Sequence, residues 1–311
     1  MQQQPIISII MPCYNAADNI KCSIASVYEQ TFKNFELIVV NDGSSDDSLA
    51  ILTNLTQTYD TLRVINQPNK GAGPARNTGL KIAQGEFIAF LDADDSWHPD
   101  CLLKLLQALQ ATPNAAIAYC GWQNKGLAAN RCNPYIPPDY ESSNKIETFL
   151  RSCPWPIHAA LTRKALIEAV NGFNEVWTSC MDYDLWLKIA PFHKIALVPD
   201  VLAYYHHHEG EQITKNHLRI ALNHWQIQNA FLSDNPDIAK QLGSKKIAEI
   251  TDGELLQRAY ISYRQRDLST AHALFRKTLA RHYFSRKDLK YLLPALLPLK
   301  VYQTLIHKFS K

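Results

Sequence analysis

The chain has 311 residues, of which 46% are hydrophobic and 20% are charged. This composition is typical of a soluble globular protein and excludes an intrinsically disordered or collagen-like chain. The net charge is only +3, and no basic, aromatic-rich recognition motif occurs, so the sequence does not predict a nucleic-acid-binding protein.

The N-terminal part alternates short β-rich runs with helical patterns. Apolar residues at helical spacing predict helices near Ile20, after a cap at Ser45 or Asp46, from Gly71 and from Pro99. Runs rich in apolar residues predict strands at 6–11, 37–40, 62–65, 87–91 and 116–122, of which the first two are predicted to be buried. This β-α-β-α order predicts an α/β fold, with a Rossmann-like, mainly parallel sheet flanked by helices.

The pattern breaks between residues 123 and 144. This stretch contains Pro134, Pro137 and Pro138 and shows no periodicity, which predicts an inserted loop. Strand and helix patterns return at 155–205, and the pattern is helical from about residue 216 onward. We therefore predict a first domain at 1–215, with parts at 1–110 and 111–215, and an all-helical C-terminal region at 216–311.

An acidic turn follows the strand predicted at 87–91. Its sequence, Asp92-Ala93-Asp94-Asp95, lies beyond the carboxyl end of a strand, where ligands bind in open α/β sheets. Clustered carboxylates repel one another unless a cation lies among them, and a hard divalent ion leaves room for phosphate oxygens. The alternative is a helix cap, since Asp before a helix is electrostatically favourable. The turn therefore predicts either a metal site or a cap.

Further polar segments follow the other predicted strands. Pro12-Cys13-Tyr14-Asn15 follows the first strand, and Asn41-Asp42-Gly43-Ser44-Ser45-Asp46 follows the second. The glycine-flanked segment from Asn69 to Gly79 follows the third. Because the carboxyl ends of parallel strands share one edge of a sheet, these segments are predicted to form one pocket.

Together these segments resemble the family 2 glycosyltransferases, inverting enzymes with the GT-A fold. The resemblance is close over 5–110 and weaker to about residue 215. It implies that 1–110 binds a nucleotide sugar and that 111–215 supplies acceptor binding and catalysis. Asp42 would read the uracil edge, since a carboxylate suits the imide N–H of uracil. The donor-binding residues implied by the resemblance are Pro12, Tyr14, Asn15, Asp42, Lys70, Arg76, Asp92 and Ala93.

The same resemblance implies a metal site of the DXD type. Asp94 would bind Mn²⁺ or Mg²⁺, and Asp92 would contact the metal or the ribose. His208 occupies a place where the family often has His, and it would approach the metal or the diphosphate. The alternative for His208 is an exposed loop residue, because solvent-facing His is common.

The segment from Met181 to Lys188 resembles the part of the family that carries the catalytic base. The base position corresponds to Asp182, which would take the proton of the acceptor hydroxyl. Met181 stands where the family usually has Glu, which changes the electrostatic neighbourhood of the base. The alternative is that Asp182 and Asp184 cap the helix that begins there; we assign Asp184 that structural role.

The acceptor cavity is predicted from a second segment, Trp155-Pro156-Ile157-His158. By resemblance, Trp155 and His158 would line the cavity, since an apolar wall with one imidazole suits stacking against a sugar face. The alternative for Trp155 is core packing. The turn Gly172-Phe173-Asn174-Glu175 matches the family's turn before the base helix, and we interpret it as structural.

The C-terminal tail is basic and apolar. Residues 258–311 contain 12 Lys or Arg and two Asp, whereas the rest of the chain is acidic overall. Pro294 and Pro298 would split the last helix. We predict a cytoplasmic protein whose tail either makes a peripheral contact with anionic lipid at the inner face of the membrane or packs against the chain itself or a partner.

The sequence thus predicts an inverting glycosyltransferase. The enzyme would move a sugar from a nucleotide diphosphate, with UDP favoured, to a hydroxyl of a saccharide or lipid-linked saccharide in cell-surface polysaccharide biosynthesis. One alternative is a nucleotidyltransferase, but that class needs a glycine-rich basic loop where Pro12-Cys13-Tyr14-Asn15 stands. The other alternative is an inactive nucleotide-sugar-binding module, which Met181 keeps open.

Overall fold

The computed structural model of the chain describes residues 4–128, 131–141, 144–207 and 215–308. The chain divides into two compact units, Met1–Gly210 and Glu211–Lys311. The domain boundaries predicted at residues 110 and 215 stay predictions, because compactness alone does not assign a role to either part.

Strands and helices alternate through the first unit. Its strands are β1 (Ile7–Cys13), β2 (Phe35–Asp42), β3 (Leu62–Gln67), β4 (Phe87–Phe90), β5 (Ser96–Trp97), β6 (Ala115–Lys125), β7 (Pro134–Tyr135), β8 (Ala160–Arg163) and β9 (Lys194–His206). Its helices are α1 (Ile20–Tyr28), α2 (Ser48–Leu55), α3 (Ala72–Leu80), α4 (Cys101–Ala111), α5 (Lys145–Arg151), α6 (Lys164–Ala169) and α7 (Met181–Ile189). β1 and β2 are buried along their whole length, as expected for strands covered on both faces.

The strands form a sheet in the order β3-β2-β1-β4-β8-β6-β9-β5, and β7 pairs with β6. β1 pairs in parallel with β2 and with β4, and β2 pairs in parallel with β3. The predicted α/β fold with a mainly parallel sheet and flanking helices is confirmed. In this part of the sheet, the carboxyl ends of neighbouring strands come together at one edge.

The other part of the sheet is mixed. β8 lies between β4 and β6 and runs antiparallel to both, whereas β6 pairs in parallel with β9. Consequently β4 and β6 are not neighbours in the sheet. The sequence pattern does not predict this insertion, because a four-residue strand carries too little periodicity to reveal its partners.

The loop predicted at 123–144 is partly wrong. β6 continues to Lys125, and β7 pairs with it through Trp122 and Gln123. Pairing with β9 provides ladder hydrogen bonds for this polar stretch, although its own sequence lacks a strand pattern. The helix for which Ser45 or Asp46 was predicted as the cap begins at Ser48, after Asp47. The Ser48 N–H donates to Asp46 Oδ1 at 3.0 Å.

The second unit is helical throughout its described residues. Its helices are α8 (His217–Asp234), α9 (Pro236–Leu242), α10 (Ser244–Ile250), α11 (Asp252–Arg264), α12 (Leu268–Ala280), α13 (Leu289–Leu292) and α14 (Leu299–Lys308). Its core includes Ala259, Ala271, Leu274 and Phe275, as expected where α11 and α12 form a helical hairpin. Among the residues that the structure describes, no helix combines the length and apolarity needed to cross a bilayer.

Candidate active site

The carboxyl ends of β1, β2, β3 and β4 bring the predicted polar segments to one edge of the sheet. Cys13 of β1 lies beside Asn41 of β2, and Asp42 of β2 lies beside Gln67 of β3. β4 ends at Phe90, directly before the acidic turn. The prediction that these segments share an edge is therefore confirmed by the strand register.

Asp42 holds the segment that leads into α3. Its Oδ1 accepts hydrogen bonds from Gln67 Nε2 at 2.7 Å and from the Lys70 N–H at 2.9 Å, and its Oδ2 accepts one from the Gly71 N–H at 2.7 Å. The side chain is buried. An ionised carboxylate accepts about four hydrogen bonds, so these protein donors use most of the capacity of Asp42.

Asn15 connects the ends of β1 and β2. Its backbone adopts a left-handed conformation with φ of 48°, which Asn tolerates better than most residues. Asn15 N–H donates to Ser44 Oγ at 3.0 Å, and its Oδ1 accepts from the Ser45 N–H at 2.8 Å. Tyr14 is exposed at this edge, whereas Pro12 is buried within β1. Tyr14 is thus the accessible aromatic ring of the segment.

Arg76 lies on α3, and its side chain contacts the acidic turn. It is 4% exposed, its guanidinium forms an ion pair with Asp92, and its Cζ lies 5.5 Å from the centre of the Phe173 ring. Arg76, which the family resemblance includes among the donor-binding residues, therefore binds Asp92 in this structure. The Lys70 side chain, in contrast, is exposed.

The acidic turn is partly open to solvent. Asp92 and Asp94 are half-buried, and the turn is anchored where Ser23 Oγ donates to the Ala93 carbonyl oxygen at 2.8 Å. Within the described ranges, no group of three or more His, Cys, Asp or Glu side chains is arranged to hold a metal ion. The turn thus offers two carboxylates, of which Asp92 also binds Arg76.

Asp95 turns inward and joins the turn to two other segments. It is 1% exposed, and its Oδ1 accepts from the His206 N–H at 2.9 Å. Its Oδ2 lies 3.1 Å from Nδ1 of His158. Burial, together with the carboxylates of Asp94 and Asp92, raises the pKa of Asp95 well above its usual range, and burial lowers the pKa of His158 to about 4. Asp95 therefore connects the acidic turn to the end of β9 and to His158.

The helix α7, which carries the predicted base Asp182, begins after a residue with a left-handed backbone conformation. Cys180 has a left-handed conformation with φ of 58°, which ends the preceding turn and starts the helix at Met181. Met181 is buried, and its sulfur lies 3.6 Å from the position that a Cβ would occupy on Gly73 of α3. Asp182, in contrast, is half-buried. The apolar Met181 thus packs α7 against α3 in this chain.

The Gly172–Glu175 turn also ties α7 to α3. Asn77 Oδ1 accepts from the Phe173 N–H at 2.9 Å, and Asn77 Nδ2 donates to the Phe173 carbonyl oxygen at 2.8 Å. Gly172 has φ of 68°, and a Cβ there would lie 2.6 Å from Asn77 Oδ1, so only glycine fits. The turn therefore has the structural role that we predicted for it.

The environment of Asp182 favours a raised pKa. Desolvation by the surrounding protein raises it most, the Tyr183 N–H that donates to Oδ1 at 2.9 Å lowers it, and Arg76 and Asp92 act on it in opposite directions. A general base works best when its pKa lies near the working pH. Asp184 has a different environment, since its Oδ2 accepts from Lys188 Nζ at 2.6 Å, and this pairing agrees with a structural role.

Asp182 lines a cavity of about 270 Å³. This volume lies just below the range for small-molecule sites, which starts at roughly 300 Å³. The thiol of Cys153 lies 3.8 Å from Asp182 Oδ2, within the range of a sulfur hydrogen bond. The cavity is lined by Trp122, Asn124, Cys153, Trp155, Pro156, Asp182 and Tyr205.

The predicted acceptor residues differ in their placement. Trp155 contributes to the cavity lining, but it is 1% exposed and stacks on Tyr119 at 4.3 Å between ring centres, so most of its surface is core. His158 does not line the cavity, and it is buried against Asp95. A direct contact of His158 with an acceptor has no support in this geometry. His208 lies outside the described residues.

Sequence reasoning missed several cavity residues. Trp122 ends the strand predicted at 116–122 but received no role, and Asn124 lies in the stretch that was predicted as loop. Tyr205 lies near the end of β9 and also received no role. Asp95 was within the acidic turn but received no role. Aromatic residues near the ends of strands were the signal that could have revealed Trp122 and Tyr205 as cavity residues. The contact between Asp95 and His158 joins segments that are far apart in the sequence, so no local sequence pattern predicts it.

Comparison with known sequences identifies relatives of the chain. It is 30% identical over 235 residues to an Escherichia coli UDP-Glc:alpha-D-GlcNAc-diphosphoundecaprenol beta-1,3-glucosyltransferase, WfgD, which covers 74% of this chain and 88% of that protein. It is also 30% identical over 251 residues to Escherichia coli chondroitin synthase, covering 79% of this chain but 34% of that protein. The chain spans about a third of the length of chondroitin synthase and of two Rickettsia glycosyltransferases that it matches.

Solved structures share the fold. TarS 1-349 of S. aureus, in complex with UDP-GlcNAc, superimposes with a TM-score of 0.58 at 20% identity, covering 98% of this chain and 91% of that one. The mannosyltransferase PcManGT of Pyrobaculum calidifontis, in complex with GDP-Man and Mn²⁺, gives a TM-score of 0.61 at 20% identity, covering 98% and 85%. The sequence profile named Glycosyl transferase family 2 matches residues 8–170. The chain therefore belongs to glycosyl transferase family 2.

Proposed function

We propose that this chain is an inverting glycosyltransferase that uses a UDP-sugar and a hydroxyl acceptor of a saccharide or lipid-linked saccharide. The observation that carries the proposal is the position of Asp182. Its carboxylate lines a cavity. Besides desolvation, the charges of Arg76 and Asp92 act on its pKa, and both residues belong to the segments at the carboxyl ends of β1 to β4. A candidate base and a candidate donor site thus lie within electrostatic reach of each other.

The donor is proposed to lie across the edge formed by β1, β2 and α3. The exposed ring of Tyr14 would border the base together with Asn15, and the remaining acceptor capacity of Asp42 at Oδ2 would meet the imide N–H of uracil. Lys70 is exposed and would contact the diphosphate directly. Arg76 would instead hold Asp92 in place through their ion pair. This division of roles follows from the difference in exposure of the two cations.

The acidic turn suits a divalent cation that accepts few protein ligands. Asp94 and the carboxylate oxygen of Asp92 turned away from Arg76 would hold Mn²⁺ or Mg²⁺, ions that are commonly bound through one or two carboxylates plus phosphate oxygens. When bound, such an ion neutralises charge on the departing nucleoside diphosphate. One structural relative is in complex with GDP-Man and Mn²⁺, which supports the proposal. His208 stays a predicted contributor.

The transfer step that we propose needs one proton acceptor. Asp182 takes the proton of the acceptor hydroxyl as its oxygen attacks the anomeric carbon, and the bond from that carbon to the diphosphate oxygen breaks on the opposite side, which inverts the configuration. Desolvation raises the pKa of Asp182 and so makes the carboxylate a stronger base. Cys153, 3.8 Å away, would hold the side chain in place.

The acceptor is proposed to enter the cavity beside Asp182. Trp122 and Tyr205 offer aromatic surface and Asn124 offers an amide, which together suit a sugar ring with its apolar face and its hydroxyl groups. The glucosyltransferase relative acts, by its name, on a diphosphoundecaprenol-linked sugar, and this supports a lipid-linked saccharide as acceptor. The cavity volume suits one small group rather than an extended chain.

A donor panel tests the proposal directly. We expect UDP-sugars with Mn²⁺ to raise the melting temperature of the chain more than GDP-sugars or free metal do, because a ligand that binds only the folded state stabilises it. The measurement is thermal shift against matched UDP-, GDP- and CDP-sugars, followed by detection of released UDP with saccharide acceptors. Stabilisation by a GDP-sugar alone would contradict the uracil assignment.

Met181 provides a test of the base through pH. Asp182 must be ionised, so the rate falls as the pH drops through its pKa. Met181→Glu would place a second carboxylate beside it and raise that pKa further, moving the acidic limb of the rate profile upward by about one pH unit. Met181→Leu keeps an apolar side chain and should leave the limb in place. Identical profiles for both variants would show that residue 181 does not act on the base.

A further inference from the structure

The segment from α13 to α14 presents large apolar side chains to solvent. Isolated exposed apolar residues are ordinary, whereas a contiguous set marks an interaction surface. We call this set the leucine ridge, and its members with their exposed fractions are Leu293 54%, Leu296 55%, Leu297 38%, Leu299 37% and Val301 50%.

The leucine ridge is held outward by the buried side of the same segment. Leu292, Ala295, Tyr302 and Ile306 belong to the core of the second unit. In addition, His272 Nε2 lies 2.8 Å from the Leu297 carbonyl oxygen, which anchors the turn between α13 and α14. If the ridge side chains turned inward, the four core side chains of the same segment would have to leave the core. The packing of the second unit therefore keeps the ridge exposed.

The charged residues within the segment that carries the leucine ridge are all basic. No Asp or Glu occurs in residues 289–311. Asp288, just before α13, accepts hydrogen bonds from Tyr260 Oη at 2.5 Å and from the Ser285 N–H at 2.6 Å. The exposed cations before, within and after the ridge are Arg286, Lys287, Lys290, Lys300 and Lys308.

We infer that the leucine ridge docks on the surface of an anionic lipid bilayer. Aliphatic side chains can enter the boundary between headgroups and acyl chains while flanking Lys and Arg meet lipid phosphates. A protein partner is the weaker match, because protein interface rims carry charges of both signs and the centre is usually aromatic. The docking itself is independent of the proposed function, although a lipid-linked acceptor would lie at the same surface.

Vesicle co-sedimentation of the full chain tests this inference. The probe is phosphatidylcholine vesicles with roughly a third phosphatidylglycerol, compared with pure phosphatidylcholine. We expect the chain to sediment with the anionic vesicles only. The variant Leu293→Ser/Leu296→Ser/Val301→Ser should bind at least about tenfold more weakly, and Lys287→Gln/Lys290→Gln/Lys300→Gln should also bind more weakly, with wild-type binding weakened by high salt.

A matched control removes exposed apolar residues elsewhere. Val176, Phe192 and Ile261 are 75%, 48% and 48% exposed, and their triple replacement by Ser should leave vesicle binding unchanged. All variants should keep the helical circular dichroism of the wild type, since the ridge residues are outside the core. Equal binding by the ridge variant and the wild type would overturn the inference. So would a wild-type dimer that ignores vesicles and dissociates in the ridge variant.

Discussion

Asp182→Asn should abolish sugar transfer while leaving donor binding intact. Asparagine has nearly the same size, and its carbonyl oxygen can still accept the Tyr183 N–H that now donates to Asp182 Oδ1. It cannot take a proton, and general bases contribute about a hundredfold to ten-thousandfold in rate. We therefore expect a fall in kcat of at least about a hundredfold with an unchanged Kd for UDP and Mn²⁺, measured by product formation and by calorimetry.

Asp184→Asn provides the matched control on the same helix. Asp184 is buried and its Oδ2 accepts from Lys188 Nζ at 2.6 Å, so its loss should lower the melting temperature. If Asp184 has only a structural role, the transfer rate should change by less than about tenfold, which corresponds to about 1.4 kcal/mol of activation free energy. If the two variants behave in the reverse way, the base must be reassigned from Asp182 to Asp184.

Asp94→Ala should remove metal-dependent nucleotide binding. The acidic turn contributes Asp92 and Asp94, and Asp94 is the residue that the family resemblance implies as the metal ligand. Changes in the outer shell of metal sites cost about 10- to 100-fold in affinity, and the loss of a ligand should cost at least about a hundredfold. Calorimetry with UDP in the presence of Mn²⁺ or of EDTA measures the effect.

Asp60→Ala is the control for this change. Asp60 is exposed and precedes β3, so it lies at the opposite end of the parallel strands from the acidic turn. Its replacement by Ala removes the same charge at a position remote from that turn. Its Kd for UDP and Mn²⁺ should match that of the wild type. Wild-type binding by Asp94→Ala, or loss of binding in EDTA-treated wild type that Mn²⁺ does not restore, would exclude the acidic turn as the metal site.

The edge where the carboxyl ends of β1, β2, β3 and β4 meet was predictable because its signals are local. The buried strands are continuous apolar runs, and the polar segments follow them directly in the sequence, so the parallel order places Asn15, Asp42 and Asp92 at one edge. The pairing of Arg76 with Asp92 was not predictable in the same way. Both residues were expected to face the donor, but burial of Arg76 requires a nearby anion, since an unpaired buried charge is costly.

The acceptor side was predicted less well because its walls come from distant segments. Asn124 lies in the polar end of β6, where its partner in the pairing with β9 is Tyr205. His158 was predicted to line the acceptor cavity, yet it is buried against Asp95. No periodicity in the segment from Trp155 to His158 distinguishes a wall residue from a core residue, because both are apolar or aromatic in an irregular stretch.

The amino-acid pattern alone was enough to predict the α/β fold, the edge that carries the polar residues, the acidic turn and the family. These follow from apolar periodicity and from short motifs, which depend on neighbours within one strand or helix. Only the tertiary structure established the cavity beside Asp182, the packing of Met181 on Gly73 and the outward leucine ridge. Burial, pKa shifts and surface exposure arise from contacts between segments that are far apart along the chain, and such contacts have no local signature.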